Sequence, residues 1–472
     1  MKKHRFLLVV TLLFTLLNES QASQEQFAKP EISLTLIPPS PVTDQIVLDV
    51  RAGIWNNTKV KKTIVVRIYL DKEDKLNLLY QQTIILAGKS NTGIKFPWKT
   101  KGQVGNHKII MVTTSGKKIL HTERPMQVVA SNIRSTRRID GAWLGFYHWS
   151  EAEGKFWNPE LKKMTDKQWG EMMEAQHGLE MNIIVIQDVI SNPTEYAGKH
   201  KIEKEGYKGV PYYPSKLFPG HMPIAAVDPV EAVLAQADKD GMNVFIGVGL
   251  YAWFDFTPGS LTWHKKLATE LWDKYGHHPS FYGWYVSEEQ DGGLADAQAR
   301  KDIVHFFAEF SKFIKFKTPD KPIMLATNSH NIRGAEDTYR KLLPNLDILC
   351  PFAFHRMPNT DLTGEQAAAK LQALCDEAGS HLWMDMEIFE FAENNALVPR
   401  PIKGLLNDLH RFPNFEKILC YQFPGLLNSP SMSIKPGGPN TVKLYLDYKQ
   451  YLDSLKISGY HPGKKSDEVR TK

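Results

Sequence analysis

The sequence predicts an α/β protein: a (β/α)8 TIM barrel preceded by a small all-β, immunoglobulin-like sandwich. Three observations carry this expectation. From Glu31 to Val129 the chain alternates short β-rich runs with turns and shows almost no helical periodicity. After Arg138 the rhythm changes to apolar strand, loop and amphipathic helix, and that cycle occurs eight times. An open doubly wound sheet shows the same alternation, but it calls for a glycine-rich phosphate turn after an early strand, and the chain contains no GxGxxG.

Taken in order, the chain opens with Lys2, Lys3 and Arg5, an apolar run from Phe6 to Leu17, and small residues around Ser20 and Ala22. This is the pattern of a secretory signal peptide, residues 1–22, cut after Ala22; the run is shorter than the roughly 20 residues that span a bilayer core. No cysteine occurs before Cys350 to take a lipid. The expectation is a soluble protein in the periplasm or outside the cell, without membrane insertion. Residues 27–131 form the sandwich, with runs such as EISLTLI, QIVLDVRAGIW, KTIVVRIYL and HKIIMVTT. It holds no cluster of His, Asp or Glu, so it reads as a packing module, with Trp55 and Trp98 as its candidates for stacking on sugar. The basic stretch Arg134 to Arg138 is a solvated linker.

The barrel, residues 138–456, has strands at Ala142 to Trp149, Asn182 to Ile190, Asn243 to Leu250, Phe281 to Glu289, Pro322 to Asn328, Leu346 to Phe354, Leu382 to Glu390 and Lys417 to Phe423. Helix starts are marked by Thr165, Asp228 and Thr363, and the last helix runs from Thr441 to Leu455. The segment Ser191 to Ala226 exceeds normal loop length and is expected to wall or cover the catalytic face. A basic tail, residues 457–472, closes the chain.

Composition narrows the function. At 472 residues and 42% hydrophobic there is material for two cores. The net charge of +6, about +4 once the signal is removed, is scattered and gives no footprint for nucleic acid. Three cysteines make no disulfide framework, and no Cys/His spacing suggests zinc. No cofactor is expected.

In such barrels the reactive groups project from the carboxyl ends of the strands. Those ends supply His148, Trp149, Asp188, Tyr251, Trp253, Asp255, Glu288, Glu289, Asp291, Asn328, Ser329, His330, His355, Arg356, Asp385, Glu387, Glu390, Tyr421 and Gln422. The rim is acidic and aromatic together. Aromatic faces stack on sugar rings while carboxylates and amides grip hydroxyls, so the expected ligand is a carbohydrate. Glycoside hydrolysis requires a protonated carboxyl at the leaving oxygen and a second carboxylate at the anomeric carbon, and strands four and seven supply both. In strand seven, alternation puts Asp385, Glu387 and Phe389 on one face and Met384, Met386 and Ile388 on the other. Asp385 is expected to pair with Lys or Arg inside the barrel.

At this point the chain resembles a known group. FYGWYVSEEQD is similar to the Trp-x-x-x-(Asn)-Glu strand end of clan A glycoside hydrolases, and MDMEIFEF to their second glutamate strand. GWYVSEEQD together with LWMDMEIFE further resembles a bacterial family of unknown function classed as glycosidase-like TIM barrels. The resemblance covers Arg138 to Leu455. It implies Glu289 as acid/base, Glu387 as nucleophile, and retention of configuration. Glu288 falls where many clan members have an asparagine that binds the substrate's 2-hydroxyl, which leaves the acid/base assignment between Glu288 and Glu289 open. The expected substrate-binding set is Glu288, His148, Trp149, Asp188, Tyr251, Asn328, His355, Asp385 and Tyr421, with His355 or Tyr421 keeping Glu387 ionised. Two alternatives stand beside this reading: a carbohydrate-binding barrel without catalysis, and a metal-dependent hydrolase using Asp188, His148 and His355.

Overall fold

The computed structural model describes residues 31–191, 209–249, 255–456 and 470–471. The expected signal peptide, Tyr251, Trp253 and most of the basic tail therefore lie outside the described residues. In the N-terminal region, one antiparallel sheet is ordered β1 (Ile32–Ile37), β3 (Val47–Asn56), β6 (Ser90–Lys99). The other runs β2 (Val42–Thr43), β8 (Lys118–Val129), β7 (Gly105–Ser115), β4 (Lys62–Leu70), β5 (Leu78–Leu86), with Arg470–Thr471 added at β8. Alternation decides the faces: Ile64, Val66 and Ile68 point inward from β4 and meet Leu48, Val50 and Ala52 of β3 in one shared core. The short β2 departs from the expected antiparallel pattern, because it pairs parallel to β8.

The larger sheet is wholly parallel. Its order is β17 (His381–Leu382), β16 (Ile348–Leu349), β15 (Ile323–Thr327), β14 (Phe281–Gln290), β13 (Asn243–Gly247), β10 (Ile183–Ile186), β9 (Gly141–Leu144), β21 (Ile418–Tyr421), β18 (Met384–Glu387). Only Trp383 separates β17 from β18, so the sheet comes round on itself through residues 381–387 as a nearly closed, TIM-like barrel. All eight expected strands are present. Helices start where side chains satisfy their free amides: Asp228 accepts from Glu231 N, and Thr363 from Gln366 N. Gly241 and Gly379, both at positive φ, end those two helices. Trp143, Val185, Phe245, Tyr285, Met324, Ile348, Trp383 and Leu419 fill the barrel interior, and Ile37 of the N-terminal region joins them from below.

That insertion is part of a broad seam. Tyr282 Oη donates to Leu36 O at 2.6 Å, and Lys417 Nζ donates to Pro41 O at 2.6 Å and to Asp140 at 2.9 Å. Arg51 of β3, 5% exposed, donates to Asp347 at 2.7 Å and to Asp49 at 3.1 Å. His381 stands between Glu416, 2.6 Å from its Nδ1, and Asp49, 3.4 Å from its Nε2. The described residues from Glu31 onward form one unit, undivided at the basic linker. Burial opposes charge on His381, but Glu416 and Asp49 outweigh it and hold the imidazolium up to about 9. A raised histidine contributes stability that is complete below its unfolded value of about 6.5 and is lost as pH rises through the folded value. The thermal midpoint is therefore expected to fall between pH 7 and pH 10, with His381→Gln showing a flatter profile; a wild-type midpoint unchanged over that range would contradict this.

Candidate active site

A pocket of about 270 Å³ opens at the carboxyl ends of the barrel strands. Trp143 and Tyr285 lie at its base, Trp149, Phe352, Phe389, Phe391, Leu397 and Tyr421 form walls, and Gln187, Glu153, Glu289, Arg356, Asp385 and Glu387 provide its polar groups. Phe391 is 52% exposed, an aromatic face offered to solvent at the mouth. It is carried by a hairpin, β19 (Phe389–Phe391) with β20 (Leu397–Pro399), that follows strand seven.

Glu387 ends β18 and is almost wholly buried. Arg356 donates to its Oε1 through Nε at 2.8 Å and a terminal nitrogen at 2.6 Å, and His355 Nδ1 lies 3.1 Å from its Oε2. Both partners come from a short turn, Phe354–Arg356, entered through Ala353 at φ 68°, a left-handed conformation that turns the chain back toward strand seven. Burial by itself raises the Glu387 carboxyl, but His355 and Arg356 outweigh it and hold it below the ordinary glutamate value.

Glu289 is biased the other way. It lies on the inward face of β14 with Tyr285, keeps some contact with solvent, and makes its strongest electrostatic contact with Glu387. Burial first, then the charge of Glu387, push it up to about 7 against the opposing pull of Arg356. The two carboxyls in one pocket are thus biased in opposite directions, Glu387 toward the ionised form and Glu289 toward keeping its proton up to about 7. Asp385, two residues before Glu387, is pushed well above the carboxylate range by burial and by the charges of Glu387 and Glu289. No Lys or Arg pairs with it among the described residues, so in place of the expected ion pair the pocket holds a buried carboxyl whose surroundings favour the protonated form.

The other expected residues divide. Trp149 and Tyr421 line the pocket. Tyr421 Oη lies 3.4 Å from both His148 Nε2 and Gln187 Oε1, so it faces away from the role of holding Glu387. His148 stands behind this wall, stacked on Trp149 and lowered by burial to about 4, a neutral support. Glu288 points outward from β14, fully buried with its Oε1 3.6 Å from His264 of the following layer of helices, and is not brought to the pocket. Asp188 is buried beside Tyr212, also outside the pocket. Asn328 accepts from Gly292 N and His330 N, shaping the turns next to the site. Asp188, His148 and His355 do not gather into a ligand group among the described residues. The described part of the long loop does not cover the pocket: Tyr212, Tyr213, Phe218 and Met222 are packed into the outer core. Three polar side chains of the pocket lie outside the expected site set: Glu153, pushed up to about 7 by burial, Gln187, and Arg356. Arg356 stands at a strand end that the sequence marks, whereas Glu153 sits in a loop without periodicity.

Fold and pocket together define a TIM-like barrel protein with an acidic, aromatic-walled cleft at its strand ends. Residues 139–433 match the family described as a domain of unknown function, DUF4434, and the chain belongs to that family. No curated protein matches the sequence. Among solved structures, the chain is similar to a candidate α-L-fucosidase from Bacteroides thetaiotaomicron VPI-5482, with 17% identity over 67% of this chain and 93% of that one and a TM-score of 0.50. A β-glucuronidase from Bacteroides uniformis shares 13% identity over 89% of this chain and 50% of its own, with a TM-score of 0.39. This chain thus spans about half that enzyme's length. A GH2 β-galacturonidase from Eisenbergiella tayi shares 13% identity over 90% and 72%, with a TM-score of 0.40. At 17% identity the likeness to the first of these concerns the fold alone.

Proposed function

We propose that this protein is a glycoside hydrolase with Glu289 as acid/base and Glu387 as nucleophile. The observation that carries the reading is the opposite protonation bias of these two glutamates within one aromatic-walled pocket. In the proposed reaction Glu387 attacks the anomeric carbon while Glu289 gives its proton to the leaving oxygen; water then releases the sugar, with Glu289 as base and net retention. Arg356 and His355 stabilise the charge on Glu387 before attack, and Trp149, Phe389, Phe391 and Tyr421 offer faces for the sugar ring. The barrel fold shared with the candidate fucosidase accommodates this chemistry without specifying the sugar. The N-terminal region is read as an immunoglobulin-like sandwich that carries the barrel, and residues 1–22 as an export signal that delivers it to the periplasm or beyond.

The test is hydrolysis of a panel of polysaccharides and aryl glycosides, followed by a pH profile on any substrate that is cleaved. Activity requires protonated Glu289 and ionised Glu387. kcat/KM should be level between the depressed Glu387 value and about 7, fall tenfold per unit above it, and fall in acid as Glu387 takes a proton. The negative charge of Glu153 contributes to raising Glu289, so Glu153→Gln should move the alkaline limb to lower pH. Binding of a glycan without cleavage across the whole panel would sink the proposal.

A further inference from the structure

Far from the pocket, the outer surface of the barrel carries a second group of polar side chains. Glu231 and Asp238 stand seven residues apart on one face of the helix Pro229–Asp240, and His277 and His278 follow the helix Pro258–Tyr275. His278 Nδ1 lies 2.7 Å from Asp238 Oδ2, and the other oxygen of Asp238 accepts from Ser280 N at 2.9 Å. That second bond fixes the carboxylate, and the carboxylate fixes the imidazole ring. His278 Nε2 is thereby aimed at Glu231 Oε2, 3.2 Å away. The ring of His277 lies 4.1 Å from that of His278, and one ligand atom each from Glu231, His277 and His278 falls within 4.8 Å of the others.

We propose that Glu231, His277 and His278 form a binding site for a divalent transition ion of the zinc type. In a tetrahedral zinc site, metal–ligand bonds of about 2.0–2.2 Å set neighbouring ligand atoms about 3.3–3.6 Å apart, and the Glu231–His278 edge of 3.2 Å is close to the lower end of that range. Two imidazoles and one carboxylate suit zinc, whereas calcium and magnesium take all-oxygen shells. Asp238 supplies the carboxylate–histidine–metal arrangement that holds a ligating ring in its tautomer. Glu231 is 46% exposed, which leaves a fourth position for water. The site shares no residue with the pocket, so its role is to brace the helix Pro229–Asp240 against the turn at 277–278, whatever reaction the pocket performs.

His277 distinguishes this proposal from a plain ion pair, because the clasp of His278 between Asp238 and Glu231 is complete without it. The experiment is calorimetric titration of the full chain, free of any histidine tag, with Zn²⁺, alongside thermal melts. One equivalent is expected to bind and raise the melting temperature, with His277→Ala weakening binding at least tenfold and Asp238→Asn by roughly 10–100-fold. The Glu289→Gln/Glu387→Gln double variant should bind as wild type does. Absence of binding, undiminished binding in His277→Ala, or loss of binding in the pocket double variant would each overturn the assignment.

Discussion

Glu387→Gln is expected to abolish hydrolysis, lowering kcat/KM by at least about a thousandfold on every glycoside that wild type cleaves, because the amide cannot form the covalent intermediate. The variant keeps the volume of the side chain and an oxygen for Arg356, so circular dichroism and melting should show a folded protein. Glu289→Gln should behave differently. Its loss, roughly 10²–10⁴-fold, should be largest for poor leaving groups that depend on protonation and smallest for nitrophenolates. It should also remove the alkaline limb that Glu289, pushed up to about 7, supplies. Azide added to Glu289→Gln should restore turnover of an activated glycoside by attacking the glycosyl-enzyme, a rescue unavailable to Glu387→Gln if that residue is the nucleophile. Full activity in either variant would remove the two-glutamate mechanism.

The second large effect concerns stability. Arg51→Met is expected to cost about 3–5 kcal/mol, because it leaves the Asp347 and Asp49 carboxylates buried without their guanidinium. Arg51→Met combined with Asp347→Asn should recover part of the loss, since the uncompensated charge rather than the missing attraction dominates the penalty. Urea unfolding of both variants at neutral pH measures this. A single variant within about 1 kcal/mol of wild type would mean that the seam contributes little to holding the protein together.

Much of the fold was legible because its signals are periodic. Eight apolar runs at strand length alternating with helices, some with recognisable starts such as Thr165, Asp228 and Thr363, predict a closed parallel sheet, and alternation in MDMEIFEF sorts Asp385, Glu387 and Phe389 from the methionine face. Alternation also separates Glu288 from Glu289: strand four carries Tyr285 and Glu289 inward and Trp284, Val286 and Glu288 outward. A resemblance aligned by short motifs leaves these neighbours open, whereas the pleat tells which of them faces the pocket. What stayed hidden depends on loops and distance. Glu153 belongs to a loop with no period, the hairpin bearing Phe391 reads as a plain strand continuation, and the pairing of Arg356 with Glu387 joins residues 31 apart in sequence. Asp385 was misread because an acid inside a barrel suggests a basic partner, while desolvation beside two glutamates favours simply keeping the proton.

The seam beneath the barrel bears on how this protein is inherited. The family's shared stretch begins at residue 139, after the linker, as though the barrel were a module in its own right. Yet Lys417 reaches for a carbonyl at Pro41, Asp347 for Arg51, and the barrel's lowest layer is completed by Ile37. A relative that lost the leading hundred residues would need compensating changes at those barrel positions. Such relatives should carry apolar or neutral residues in place of Asp347, His381 and Lys417, which makes these three positions a marker of which ancestry a given family member follows.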